Sequence, residues 1–190
     1  MTKHAAHASP APAAPTVALS GQDHVLGNAD AALTLLEYGD YECPACTQAE
    51  PLTRFLIETF GKRLRFVYRH YPLLEVHPHA ELAAEAAEAA AAQGQFWPMH
   101  HLLFAPGPTY AQHLKLTALT GYAQSLGLDM HRFNGEMADR IYTQRVQAHR
   151  HAAELAGIRA TPAFFLKGAV VDVSFGLQKL EAAVVSALAA

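Results

Sequence analysis

Cys43 and Cys46 stand three residues apart in Cys43-Pro44-Ala45-Cys46, and they are the only two cysteines among 190 residues. A disulfide framework in a small secreted fold needs more cysteines at wider spacing, so this pair points to chemistry rather than stapling. The chemistry open to two neighbouring thiols is exchange with a disulfide. One sulfur attacks as a thiolate and forms a mixed disulfide, which the other then resolves. On the first turn of a helix the two sulfurs come close enough to bridge. There the first one also faces unpaired backbone N–H groups and the positive end of the helix dipole. Both favour the thiolate and lower its pKa from ~8.5 toward the roughly 3.5–7.5 range known for such motifs. Cys43 is therefore expected to be the nucleophile and Cys46 the resolving thiol. Pro44 suits the first helical turn, where its missing N–H costs nothing. Ala45 adds neither charge nor hydrogen bond, which predicts a less oxidising centre than one with His at that position. Half a zinc site is the rival reading. A structural zinc site wants four ligands and there is no second cysteine pair, although the 12 histidines could supply the rest. A metal- or stress-responsive dithiol-binding protein is accordingly the alternative function, and no metal ligand is assigned.

The elements that must position this pair can be read around it. Residues 33–38 (LTLLEY) form a nearly continuous apolar run, as in a strand covered on both faces, ended by Gly39 and Asp40. From Pro44 to Phe60 the positions Ala49, Leu52, Leu56 and Phe60 lie on one helical face, with Gly61 as a stop. Residues 64–71 read as a second strand ended by Pro72. Residues 79–93 are rich in Ala, Glu and Leu and predict a helix closed by Gly94. More helix is expected at 96–104, 111–126 and 136–156, the last with Met137, Ile141, Ala148, Ala152 and Leu155 along one stripe. After Gly157, residues 163–166 and 169–173 flank a Lys167-Gly168 turn as a hairpin. Leu177, Leu180, Val184 and Leu188 mark a final amphipathic helix. A strand–helix–strand unit and a hairpin–helix unit are thus separated by an all-helical stretch, the order of one α/β domain carrying an insertion.

Bulk properties narrow the function classes. With 51% hydrophobic and 16% charged residues the chain can bury a proper core. A net charge of −3 gives no strong pull toward nucleic acid or anionic membrane. No apolar stretch reaches the roughly 18–20 residues of a bilayer span, so no membrane insertion is expected. Residues 1–19 carry Lys3, but His4, His7, Ser9 and prolines 10, 12 and 15 interrupt any apolar signal region, so they read as a flexible Ala/Pro-rich leader. This predicts a cytoplasmic protein, or an extracytoplasmic one whose natural signal is absent from this sequence.

The segments LGNADAALTLLEYGDYECPAC, FVYRHYPL, HPHA, FWPMHHLLF and GIRATPAFFLKG together resemble the DsbA-like branch of the thioredoxin superfamily, over roughly residues 22–190. The resemblance implies a thioredoxin-like α/β fold with a central mixed β-sheet: residues 20–75 and 157–190 form the core domain and 76–156 the helical insertion. It implies a protein-disulfide oxidoreductase with polypeptide substrates and an unidentified redox partner. No cofactor is needed beyond the redox-active Cys43–Cys46 pair, and the state would be a monomer or weak dimer. Thr161 and Pro162 match the family's cis-proline loop, which lies against the dithiol. With Pro44 and Ala45 they would meet the substrate peptide. Glu37, six residues before Cys43, falls where the family places a buried acid that accepts and returns the proton of Cys46. The κ-type glutathione-dependent transferases and isomerases share the split architecture but do not call for a second cysteine, and Cys46 argues against them.

Asp40, Tyr41 and Glu42 rim the motif, with Asp40 equally readable as a turn former. The remaining conspicuous residues are read as structural. His77 and His79 flank a proline as solvated residues at a helix start. His100 and His101 diverge by about 100° on a helix. His149 and His151 lie on a polar face, Phe96, Trp97 and Phe104 are packing residues, and residues 83–92 are a small-residue face for helix packing on which nothing polar converges.

Overall fold

A computed structural model describes residues 19–105 and 113–189. Residues 1–18 of the expected leader, residues 111–112 of the expected helix 111–126, and Ala190 lie outside the described residues. Among those described there are five strands and seven helices. In chain order they are β1 (His24–Gly27), β2 (Leu33–Gly39), α1 (Pro44–Phe60), β3 (Leu64–His70), α2 (Ala80–Ala91), α3 (Phe96–Phe104) and α4 (Leu116–Ser125). These are followed by α5 (Met130–Ala138), α6 (Thr143–Leu155), β4 (Ala163–Leu166), β5 (Ala169–Val171) and α7 (Gln178–Ala189).

The sheet order is β1-β3-β2-β4-β5. β2 and β3 run parallel, with α1 as their crossover, and the other pairs are antiparallel. β2 is central and buried along nearly its whole length, which explains why it reads as an apolar run rather than an alternation. Its residues still alternate between two cores. Leu33 and Leu35 face a large core shared with Phe66, Phe164, α1, α7 and the helices α2–α5. Leu36 and Tyr38 face a smaller one with Val67, Phe165, Ala153 and Ile158. The mixed-sheet α/β fold expected from the sequence is present, with the helical stretch leaving after β3 and returning before β4.

Four expectations need correction. β1, a four-residue edge strand, is absent from the sequence reading; it pairs with β3 from His24↔Tyr68 to Gly27↔Arg65. Leu19, placed in the leader, packs partly buried against the smaller core. The stretch 136–156 is not one helix. α5 ends in a Schellman arrangement in which Arg140 adopts φ 53°, Arg140 N–H donates to Met137 O and Ile141 N–H to Glu136 O. Ion pairs from Arg140 to Glu81 (2.8 Å) and Glu85 (2.7 Å) hold it there. The expected stripe is lost with the continuous helix: Ile141, Ala148, Ala152 and Leu155 are exposed, whereas Val146 and Ala153 are buried. Lastly, the alanine face of α2 does pack closely, but two of the helix's glutamates, Glu85 and Glu88, are buried with it and are met by polar partners.

Candidate functional site

β2 delivers the chain into a short loop, Asp40–Glu42, and α1 begins at Pro44 with Cys43 as its N-cap residue. No conventional side-chain cap is present. The Cys43 sulfur occupies that role: as a thiolate it accepts from the backbone N–H groups of Ala45 and Cys46, where a serine or aspartate oxygen would ordinarily bond. A side-chain hydrogen bond from Cys46 contributes most to lowering the Cys43 pKa, with Thr161 and these amides adding to it. Against the opposing effect of burial, they bring it down to about 5. Cys46 moves the other way. It is fully buried, and burial, the hydrogen bond it gives to Cys43 and the charge of Glu37 all hold its pKa well above the usual thiol value. The reduced pair therefore shares one proton, kept on Cys46.

Thr161 and Pro162, 118 residues downstream of Cys43, reach the same place. The Thr161–Pro162 bond is cis. In its protonated form the Cys43 thiol donates to the Thr161 carbonyl at 3.4 Å. Pro44 and Ala45 are exposed beside Cys43, and Pro162 is half-buried across from it. Glu37 lies on β2 and is 3% exposed. Burial first, then the charges of Cys43 and Glu50, raise its pKa to about 8. The seven residues named from sequence and resemblance thus converge, with Glu37 close enough to both sulfurs to feel their charge.

The loop before Cys43 is held in a way the sequence did not suggest. Asp40 accepts from Glu42 N–H (2.7 Å) and Leu73 N–H (2.8 Å) and pairs with His77 Nδ1 (2.8 Å). The Tyr41 hydroxyl bonds His100 Nδ1 (3.0 Å). Glu42 accepts from His79 N–H (2.7 Å) and pairs with His79 Nδ1 (3.0 Å). Three consecutive loop residues are each gripped by a histidine of the insertion. His77 and His79 do stand at the start of α2, His79 as its N-cap residue, but they are half-buried and paired with carboxylates, and Asp40 does more than form a turn. No local sequence signal marks these pairs, because each partner lies 37 or 59 residues away.

A second polar cluster sits behind the first. Glu88 of α2 meets His24 Nε2 and His70 Nε2, each at 2.9 Å, and Arg145 Nε at 3.0 Å. His149, expected on a polar face, stacks on His70 with ring centroids 5.6 Å apart, and burial lowers its pKa to about 3. His24, His70 and Glu88 offer three ligand atoms within 4.8 Å of one another. Arg145 already supplies the cation: its Nη2 also lies 3.3 Å from His24 Nε2. Neither cysteine belongs to this cluster.

Residues 19–185 match a family model described as Thioredoxin. Among solved structures, a thioredoxin-like oxidoreductase from Silicibacter pomeroyi is 27% identical, covers 90% of this chain and 95% of its own, and superposes with a TM-score of 0.75. BdbD from Bacillus subtilis (21% identity, 87% and 92% coverage, TM-score 0.77) and alpha-DsbA1 from Wolbachia pipientis (21%, 84% and 81%, TM-score 0.70) share the fold. Among curated proteins, a Na(+)/H(+) antiporter NhaA 1 from Salinispora arenicola is 46% identical over 168 residues, 88% of this chain but only 25% of that protein. The antiporter NhaA from Herminiimonas arsenicoxydans is 42% identical over 146 residues, 77% of this chain and 22% of that one. The chain spans about a quarter of the length of these curated relatives. No helix among the described residues is long and apolar enough to cross a membrane. On the family match, the shared fold and the Cys-x-x-Cys pair at a helix start, this chain belongs to the thioredoxin family, with DsbA-like proteins as its structural neighbours.

Proposed function

We propose that this chain is a protein-disulfide oxidoreductase in which Cys43 is the nucleophile and Cys46 the resolving thiol. The observation that carries this reading is the opposite treatment of two adjacent sulfurs. Cys43, at the helix start and against the Thr161 carbonyl, is a thiolate above about pH 5, whereas the buried Cys46 remains a thiol. A thiolate is the attacking species in exchange, and a neighbouring thiol held in reserve is what resolution requires.

The Cys43 thiolate attacks one sulfur of a substrate disulfide, and the other substrate sulfur leaves as a thiolate. Cys43 then carries no charge, so one of the repulsions that kept Glu37 protonated is gone. Glu37 releases its proton to solvent, where the departed substrate thiolate can take one up, and becomes the base for Cys46. Cys46 transfers its proton to Glu37 and attacks Cys43 Sγ. The Cys43–Cys46 bond forms, and the second substrate sulfur leaves with the electron pair. Reversed, the same steps donate a disulfide. Pro44, Ala45, Thr161 and Pro162 border the reacting sulfur and are the surface a polypeptide substrate would meet. Electrons reside in the two sulfurs, so the chemistry calls for no further cofactor. The metal-responsive alternative gains no support from a cluster that leaves out both cysteines.

An insulin-reduction or refolding assay comparing the wild type with Cys43→Ser tests this. Activity should fall to the uncatalysed rate in the variant, and equal activity would eliminate the mechanism. Equilibration against glutathione then assigns direction: a potential well above the cytosolic poise marks an oxidant, one well below it a reductase.

A further inference from the structure

Tyr68 is fully buried, yet its hydroxyl has no hydrogen-bond partner. Orphaned hydroxyls in a core are uncommon and costly, and each calls for a reason. Its place in the fold supplies one. Tyr68 on β3 is the register partner of Glu37 on β2, so both side chains project from the same face of the sheet. The ring lies along that face over Gly39, where a Cβ would come within 2.5 Å of its Cε2 and 2.7 Å of its hydroxyl. Only glycine leaves room for the phenol at the end of the strand that leads into the Cys43 loop.

The polar groups around Tyr68 are nearly all committed elsewhere. From the loop, Tyr41 bonds His100 of α3, and Asp40 is taken by His77 and two backbone N–H groups. Next to Tyr68 on β3, His70 is bound through Nε2 to Glu88 of α2, while its buried Nδ1 has no partner. From α1, Glu50 pairs with His101 at 2.9 Å. Besides His70 Nδ1, what remains is the sulfur of Cys46, whose proton is given to Cys43, and the Glu37 carboxyl, which no hydrogen bond reaches among the described residues. Cys46 and Glu37 both lie close enough to act electrostatically on the phenol.

We propose that Tyr68 is a positioning residue for the resolving step, its hydroxyl donating to the negative charge that appears at Cys46 and Glu37 when Cys46 is activated. This rests on Glu37 serving as the base of Cys46. The proton passes from Cys46 Sγ to Glu37, and the resulting thiolate attacks Cys43 Sγ and displaces the substrate thiolate. Tyr68 keeps its own proton throughout, since burial and the acids around it hold the phenol well above its ordinary pKa. In the resting dithiol neither the Cys46 sulfur nor a Glu37 oxygen is in hydrogen-bond geometry with the hydroxyl, so the bond forms only when the new charge draws the phenol toward it.

Tyr68→Phe removes the oxygen and keeps the ring. The reduced full-length chain is mixed with 5,5′-dithiobis(2-nitrobenzoate). Attack by Cys43 releases one chromophore and resolution by Cys46 a second, so the two steps are read as two phases. Across pH 5 to 10 the first phase should be unchanged in Tyr68→Phe. The second should slow by about 10-fold at pH 7, the loss expected for one hydrogen bond to a charged group, with its pH midpoint moved upward. Thermal stability should be equal or higher, because an unpaired buried hydroxyl has gone. Glu37→Gln is run in parallel. A second phase that overlays the wild type in Tyr68→Phe but shifts in Glu37→Gln overturns the role of Tyr68 alone. Overlay in both overturns the Glu37 base. Equal slowing of both phases with a lowered melting temperature would mark Tyr68 as merely structural and overturn the proposal as well.

Discussion

Cys43 gains its reactivity chiefly from groups that act only on its charged form: a thiol and two amides that donate to sulfur. None of them depends on the Ala45 side chain, so that side chain remains free to tune the centre. Alkylation of reduced protein by iodoacetamide should follow a single titration near pH 5, read from initial rates between pH 3 and 8. In Ala45→His, where an imidazolium can sit beside the sulfur, the midpoint should drop by about one unit; an unchanged midpoint would contradict this account. At this scale the sequence was informative about the two sulfurs and about Pro44, whose roles follow from spacing and helix geometry. Glu37, Thr161 and Pro162 came from the resemblance, since no local rule brings residues 118 positions apart together. Tyr68 could not be read at all. Its strand looks like any aromatic-rich strand, and only register and Gly39 show where the hydroxyl ends.

Among the elements, α2 is the one whose chemistry the sequence concealed. Ala- and Glu-rich composition announces a helix but not that Glu88 turns inward to join β1, β3 and α6 through His24, His70 and Arg145. Arg145→Ala should leave that carboxylate, 1% exposed, without its guanidinium. Losing one member of such a buried pair typically costs about 3–5 kcal/mol, measurable as a lowered urea midpoint. Glu88→Gln combined with Arg145→Ala should recover part of the loss, because the stranded charge is removed. A single variant as stable as the wild type would show that the pair does not hold the insertion to the sheet. Helix ends tell a parallel story. Gly94 and Gly157, both with positive φ, mark stops that composition makes visible. The break at Arg140 is invisible because an arginine takes the left-handed position and is kept there by Glu81 and Glu85, residues on another helix.

For the molecule as a whole, the sum of these buried groups sets its response to acid. Burial pushes His70, His100 and His149 below the ordinary histidine pKa, so the folded state keeps them neutral while the unfolded chain takes up protons below ~6.5. Reduced Cys43 acts in the same sense, ionised down to about pH 5 in the folded state and a thiol below ~8.5 when unfolded. Glu37 opposes them, staying protonated up to about pH 8 when folded while the unfolded carboxyl ionises above ~4.3. The unfolded state binds the larger number of protons between pH 6.5 and 5, so stability must decline as pH falls through that window. The slope is at most roughly 4 kcal/mol per pH unit, for about three excess protons. Urea midpoints of the reduced protein at pH 7, 6 and 5 should fall in that order, and a flat series would refute the assignment of neutral buried histidines. The core and sheet that produce this behaviour were largely legible as apolar runs. The histidines were not, because a titratable residue inside a helix or strand pattern reads by default as surface.

Asp40, Tyr41 and Glu42 are tethered by side-chain hydrogen bonds to His77, His100 and His79, all outside the sheet from which the loop emerges. The insertion is therefore a handle on the nucleophile: a small tilt of these helices would carry the start of α1 with it and re-aim Cys43 toward or away from the Thr161 carbonyl. Proteins sharing this sheet and this tetrapeptide could then differ in reactivity through the helical lobe alone, with the reacting residues untouched.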